Sequence, residues 1–411
     1  MITILCSGSR GDIQPYIALA VELVKMGRDV RIAAGKSFKD FIERYGIKCY
    51  PISVDYKSVD VDPELMKLAQ NSDNPLKMLL AFNKMKKYAV LMMEEMFEAC
   101  KDSELIVYHP GCTIGYFAAE HFKVPSVLAS PFPIHKTKEV ASVITYGNKI
   151  IPKGVGYSLL QGMLWNASKL GITALWKEKF GKLPQGIGAP FERVDEKHPS
   201  IISCSDYVFR RPADWNKNVY QFGYWFTNEE ENYSPSKELS DFLGEGDAPI
   251  YFGFGSVFNP EEKVKFITTI TDALAQTKKR GIICGMGQID NLPQNIFAID
   301  TIPHTWLFPK MAAVCHHGGA GTTAAGFAAG VPSMIMPFSN DQFAWANRAS
   351  DLGVGSKPLS KKKLNTKTLE DAIHFVSQDD IRANARKLGE DIAKESGAYA
   401  CARIIANVKG L

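Results

Sequence analysis

The chain has 411 residues, with 48 Lys and Arg against 44 Asp and Glu, so its near-balanced net charge of +4 excludes an electrostatic footprint for nucleic acid. The length predicts about two domains, and 45% hydrophobic residues give each of them a core. Eight cysteines without any C-x-x-C pair or Cys/His ligand spacing exclude a zinc site and a disulfide framework and point to a reducing compartment.

In chain order, Ile2-Thr3-Ile4-Leu5-Cys6 reads as a buried strand. It is too short for a signal-peptide core and no basic segment precedes it. No apolar run reaches membrane-spanning length, so the expectation is a cytoplasmic protein, with peripheral membrane contact left open. A polar glycine loop and a helix with Pro15 in its first turn come next. Val30 to Ala34 is a second strand, and Phe38 to Tyr45 a helix closed by Gly46. Leu105 to Tyr108 and Ser126 to Ala129 are strands around a helix near Ile114 to Phe122. This alternation predicts a parallel sheet covered on both faces. Residues 56–100 and 132–195 break the rhythm and read as insertions lining a pocket, the second carrying Trp165 and Trp176. For any single residue there, ordinary helical core is the more economical reading.

The stretch 227–249 is acidic and rich in Ser, Gly and Pro, and reads as a linker. A second strand–helix series follows, with strands at Ile250 to Phe254, Ile282 to Cys284, Ala313 to Cys315 and Ser333 to Met336. The predicted organisation is an N-terminal Rossmann-like domain over 1–226, a C-terminal one over 250–378, and helices over 379–411 that pack back toward the first.

In an open parallel sheet, ligands sit beyond the carboxyl ends of the strands. Two loops occupy such positions. The first is Gly8-Ser9-Arg10-Gly11-Asp12. The second is His316-His317-Gly318-Gly319-Ala320-Gly321-Thr322-Thr323. Glycines allow close backbone approach, and the helix that follows offers free N–H groups to a phosphate or diphosphate. A tight glycine turn before a capped helix is the plainer alternative.

The block from His316 to Gly355 resembles the donor-binding signature of the UDP-dependent glycosyltransferases with the GT-B fold. It contains HHGGAGTT, Gly330-Val331-Pro332, Pro337-Phe338, Asp341-Gln342 and Arg348, and closes on Leu352-Gly353-Val354-Gly355. The first loop, followed by Ile13-Gln14-Pro15, resembles the sterol glucosyltransferase and glycopeptide-antibiotic subgroup. The resemblance implies an α/β fold of two Rossmann-like domains facing across a cleft, acceptor-binding first and donor-binding second. It implies that His317 and the amides of Gly318, Gly319, Ala320, Gly321 and Thr322 hold the UDP diphosphate. Ser256 would contact phosphate, Asp341 and Gln342 would hold the hexose hydroxyls, and Ser9, Arg10 and Gly11 would lie on the donor side. Asp12 matches the general-base position. His109, after the strand Leu105 to Tyr108, lies on the same sheet edge and is expected to support Asp12. His135 is an alternative partner and, with Trp165, a candidate acceptor contact.

The implied reaction is inverting, metal-independent transfer of a hexose, glucose in the first place, from a UDP-sugar co-substrate to a hydroxyl of a hydrophobic acceptor such as a sterol or triterpenoid. No other cofactor is implied. A polyphenol or antibiotic aglycone, or a sugar-nucleotide-binding protein without turnover, are the alternatives. Plant members carry a Trp-x-Pro-Gln motif whose Trp stacks on uracil, whereas Thr301-Ile302-Pro303-His304 stands here. Asp60-Val61-Asp62 matches a metal-binding Asp-x-Asp pattern, but two aspartates around one residue before a helix occur often by chance.

Overall fold

The computed structural model describes residues 1–54, 88–148, 150–227, 233–254, 260–287, 289, 291–338 and 341–409. They fall into two units. One comprises Met1–Ser142, Ile151–Thr227 and Ser396–Leu411, the other Val143–Ile150 and Asn228–Glu395.

The first unit is built on seven strands. These are β1 (Ile2–Leu5), β2 (Val30–Gly35), β3 (Lys48–Ile52), β4 (Leu105–Tyr108), β5 (Ser126–Ser130), β6 (Ser200–Ile202) and β7 (Val219–Gln221). They lie in the order β3-β2-β1-β4-β5-β6-β7, every pair parallel. β1 and β4 are buried along their whole length, because helices cover both faces of a parallel sheet and no strand position reaches water. The strand order reverses between β1 and β4, so the loops after these two strands diverge and leave a crevice at the sheet edge.

The second unit repeats this plan with β8 (Ile250–Gly253), β9 (Gly281–Cys284), β10 (Ile296–Ile299), β11 (Ala313–His316) and β12 (Ser333–Ile335). The order is β10-β9-β8-β11-β12, again all parallel, so its reversal lies between β8 and β11. Phe266, Ile270 and Leu274 on one helix meet Leu369, Ile373 and Val376 on another to close the core beneath one face.

Three features differ from the sequence reading. The glycine loop after β1 is shorter than expected. The helix begins at Arg10, so Asp12 lies within its first turn and Pro15 inside the helix. Second, the stretch read as a linker contains the helix Lys237–Gly244, which belongs to the second unit. Ser236 Oγ accepts from the Leu239 amide at 3.2 Å, Leu239 and Phe242 are buried, and the Arg280 guanidinium lies 4.2 Å over the Phe242 ring. The acidic, Ser- and Gly-rich composition masked an amphipathic pair at i, i+3 spacing.

Third, the C-terminal helices do not act as one block. Asp379–Ile392 stays in the second unit against Ala320–Ala328, where a Cβ on Gly389 would lie 2.7 Å from the Gly330 backbone. Only Gly397–Ala406 joins the first unit. It packs on Arg10–Lys25 and brings Cys401 Sγ within 3.3 Å of the Trp225 indole N–H. In exchange, Val143–Ile150 belongs to the second unit. There the Tyr146 hydroxyl donates to Asp351 at 2.8 Å and lies 3.4 Å from Arg348 Nη1. Both partners are on the helix Gln342–Asp351, whose N-cap Asp341 and first residue Gln342 are the candidate hexose pair.

Candidate active site

At the β1/β4 reversal, Asp12 in the first turn of the helix after β1 and His109 at the exit of β4 flank the crevice. The carboxylate of Asp12 turns back on its own helix start. Its Oδ2 accepts the Ser9 amide at 2.7 Å and the Ser9 hydroxyl at 2.9 Å. This closes a helix N-terminus whose field favours an anion. Gly8 is required here, since its φ is +127° and a Cβ would lie 2.4 Å from Asp12 Oδ2. Ser9, Arg10 and Gly11 are exposed, and the Arg10 guanidinium lies 4.6 Å over Phe41.

The His109 amide donates to the Leu5 carbonyl at 2.9 Å, which ties β4's exit to β1. The His109 ring accepts the Gly111 amide on Nδ1 at 2.9 Å and meets the Tyr16 ring edge-on at 5.9 Å. A backbone N–H can only donate, so Nδ1 carries a lone pair and the neutral ring holds its proton on Nε2. Burial pushes the His109 pKa down to about 4, against the opposing charge of Asp12. At neutral pH His109 is therefore an uncharged N–H donor within the field of Asp12. With Nδ1 committed to Gly111, His109 has no second lone pair to offer an acceptor hydroxyl, which limits it to a supporting role beside Asp12.

The sign of the pH effect follows. An unfolded histidine titrates near about 6.5. Between that value and the folded pKa the unfolded chain binds more protons, so stability is complete above pH ~6.5 and declines as the pH falls. His109→Asn keeps an oxygen for the Gly111 amide and removes the titration. Denaturant unfolding between pH 7 and 4.5 should then show a loss in the variant smaller by about 2 kcal/mol, the shift being discounted for residual exposure of the ring. Identical pH slopes would contradict the neutral, buried state.

At the β8/β11 reversal the chain leaves β11 through His317 and enters the helix Ala320–Ala328. The first-turn amides of a helix, here from Gly319 to Thr322, have no intrahelical acceptor. They form a ready anion site. Gly318 has φ +90°, and a Cβ there would lie 2.7 Å from Ile335 Cγ2 and 3.2 Å from the Gln342 carbonyl. The turn therefore abuts the start of the Gln342 helix. A Cβ on Gly319 would lie 2.7 Å from His317 Nε2, so the His317 ring folds over Gly319 and would have to move for any larger residue. His317 Nδ1 is buried without a protein partner, and burial lowers the pKa of the ring. Asp341 Oδ2 accepts the Trp345 indole N–H at 2.9 Å, and Gln342 Oε1 accepts the Phe338 amide at 2.8 Å. These bonds fix both side chains beside the glycine turn.

Three of the expected contacts are revised. The Gly318 amide donates to His316 Nδ1 at 3.0 Å, so it is committed within the protein and is not one of the open amides. His135 is 2% exposed, with Nε2 2.8 Å from Ser200 Oγ and Nδ1 3.8 Å from Glu192. Trp165 is buried against Phe117, with ring centroids 5.7 Å apart. Both side chains are buried within the first unit, His135 against Ser200 and Glu192 and Trp165 against Phe117. Cys6 is likewise a buried thiol, its pKa driven up first by burial. Ser256, Asp60 and Asp62 lie outside the described residues. Among the described residues no group of three or more His, Cys, Asp or Glu is arranged to hold a metal ion, and no helix is long and apolar enough to cross a membrane. His316, to which the sequence alone assigns no role of its own, holds the turn through its Nδ1. The signal was present as a repeated strand–His-x-Gly pattern, His109-Pro110-Gly111 and His316-His317-Gly318.

Comparison with known proteins bears on both units. The family model described as "Glycosyltransferase family 28 N-terminal domain" matches residues 2–141, and "Erythromycin biosynthesis protein CIII-like, C-terminal domain" matches residues 282–406. Sterol 3-beta-glucosyltransferase UGT80A2 of Arabidopsis thaliana is 31% identical over 96% of this chain and 63% of its own length. The corresponding protein of Sclerotinia sclerotiorum is 33% identical over 96% of this chain and 28% of its own length. The chain thus spans less than two thirds of these relatives. Among solved structures, the glycosyltransferase of kitacinnamycin superposes with a TM-score of 0.72 at 17% identity, covering 98% of this chain and 97% of that one. The calicheamicin glycosyltransferase CalG4 gives 0.66 at 19% identity, covering 100% and 98%. The paired family domains, the two parallel sheets and the full-length structural likeness lead to one assignment: the chain has the two-sheet fold of the GT-B glycosyltransferases, and its residues 2–141 match a glycosyltransferase N-terminal domain.

Proposed function

We propose that the chain transfers glucose from UDP-glucose to a hydroxyl of a sterol or triterpenoid, with inversion and without a metal ion. The observation that carries this reading is the matched occupancy of the two strand-order reversals. One holds a carboxylate beside an uncharged imidazole donor. The other holds an open helix N-terminus beneath a second imidazole. The sterol 3-beta-glucosyltransferases among the relatives support the sterol class.

In this reaction the acceptor oxygen forms a bond to the anomeric carbon as the bond from that carbon to the diphosphate oxygen breaks. The hydroxyl proton passes to Asp12. A carboxylate is a far weaker base than an alkoxide, so transfer comes late, once the oxygen is partly bonded to carbon and its proton is acidic. The charge left on UDP falls to the Gly319 to Thr322 amides and the His317 N–H. These donors act where charge develops, which is what a metal would otherwise do. Asp341 and Gln342, fixed by Trp345 and Phe338, hold hexose hydroxyls beside the diphosphate.

The test is a panel of nucleotide sugars against sterols, triterpenoids, polyphenols and antibiotic aglycones, read by mass spectrometry with and without excess EDTA. The expected product is a sterol or triterpenoid monoglucoside from UDP-glucose, at rates within about 2-fold in chelator, because the anion donors are amides and imidazole. Complete loss in EDTA with recovery on Mn²⁺ or Mg²⁺ would transfer the role to a metal and reopen Asp60 and Asp62. Binding without turnover across the panel would leave a sugar-nucleotide-binding protein.

A further inference from the structure

His316 is the last residue of β11 and 0% exposed. An imidazole is costly to bury unless its nitrogens are needed. Nδ1 accepts the Gly318 amide at 3.0 Å, whereas Nε2, which must then carry the proton, has no partner. The Gly318 bond is therefore the ring's polar contribution. Gly318 sits at φ +90°, where an ordinary backbone hydrogen bond is hard to arrange, and its amide would otherwise be buried and unpaired. The first unit solves the same problem in the same way, with the Gly111 amide 2.9 Å from His109 Nδ1 at the exit of β4. In both units the strand leaves the reversal point through a His-x-Gly turn latched by the first residue's imidazole.

We infer that His316 is a positioning residue for the diphosphate loop: by taking the Gly318 N–H it holds the left-handed turn that folds His317 over Gly319 and aims the Gly319 to Thr322 amides outward. This rests on the diphosphate reading of that loop. The ring never meets the nucleotide. It removes one amide from competition and sets the direction of the next four. Burial, then His317 and His304, keep the ring well below the usual histidine range, so its Nδ1 lone pair persists across the working pH.

Three single variants test this, each measured for UDP affinity by calorimetry, for kcat and KM with UDP-glucose, and for melting temperature. His316→Asn places an amide oxygen where Nδ1 stands, His316→Gln places its polar group one bond further out, and His316→Leu has no acceptor. Leu and Gln are expected to weaken UDP binding and raise KM for UDP-glucose by about 10- to 100-fold, with a smaller change in kcat, as a buried N–H loses its acceptor and the loop its geometry. Asn should stay within about 3-fold of wild type, because the bond to Gly318 survives. Selective ¹⁵N labelling of histidine provides a readout that does not depend on activity: two imidazoles, His109 and His316, should show an unprotonated Nδ1 that does not titrate near neutrality, and one of the two signals should vanish in His316→Asn. Wild-type UDP affinity in His316→Leu, or Asn faring no better than Leu in folded protein, overturns the inference. His317→Ala run alongside separates the two levels. If it loses UDP affinity while His316→Leu does not, only the latch falls. If it keeps UDP affinity, the diphosphate assignment falls and the latch with it.

Discussion

Asp12→Asn is expected to lower glucosyl transfer by about 10²- to 10⁴-fold, the range of a general-base contribution, while UDP-glucose binding stays near wild type. The substitution suits this position. Asp12 Oδ2 holds the Ser9 amide at 2.7 Å, and an Asn oxygen can keep that bond, so the helix start survives at a cost below about 1 kcal/mol. What is lost is the capacity to take a proton. His109 cannot replace it, since the Gly111 amide occupies Nδ1 and Nε2 carries the ring proton. Single-turnover rates with a sterol acceptor, together with calorimetry for UDP-glucose, separate chemistry from binding. Wild-type-like rates for Asp12→Asn would remove Asp12 as the base. Loss of UDP-glucose binding in parallel with rate would make it a donor contact instead.

His317→Ala should weaken UDP binding by about 2–3 kcal/mol, roughly 30- to 150-fold, the worth of a hydrogen bond to a charged oxygen in a water-poor site. Melting temperature should move little. The ring's Nδ1 has no protein partner and its Nε2 side rests on a glycine, so the fold loses few contacts when the imidazole is removed. Turnover should fall further than affinity if the N–H meets charge that grows as UDP departs. Calorimetry for UDP and steady-state kinetics check both parts, and unchanged values in the two measurements would end the assignment.

Much of the fold was legible because its signals are local. Ile2 to Leu5 and Ile250 to Gly253 are short apolar runs ahead of glycines, and parallel strands covered on both faces leave no alternation to confuse them with surface strands. The glycine turn before Ala320 could be read as an anion site because glycine content and helix N-termini are properties of neighbours in sequence. The helix at Lys237–Gly244 was hidden by composition. The exchange of Val143–Ile150 and Ser396–Leu411 between units involves contacts distant along the chain, such as Trp225 with Cys401, that no local pattern encodes.

The amino-acid sequence by itself determined the fold class, the two glycine-rich turns at the strand ends, and the residue types able to bind a diphosphate and accept a proton. Those follow from backbone propensity and the chemistry of single side chains. Only the tertiary structure decided how each candidate's hydrogen-bonding capacity is divided. It turned His135 and Trp165 inward to Ser200 and Phe117, committed the Gly318 amide to His316, and fixed the proton of His109 on Nε2. The physical reason is that a polar atom has few lone pairs and protons, and whether one remains for a ligand depends on which neighbours the fold places within about 3 Å of it.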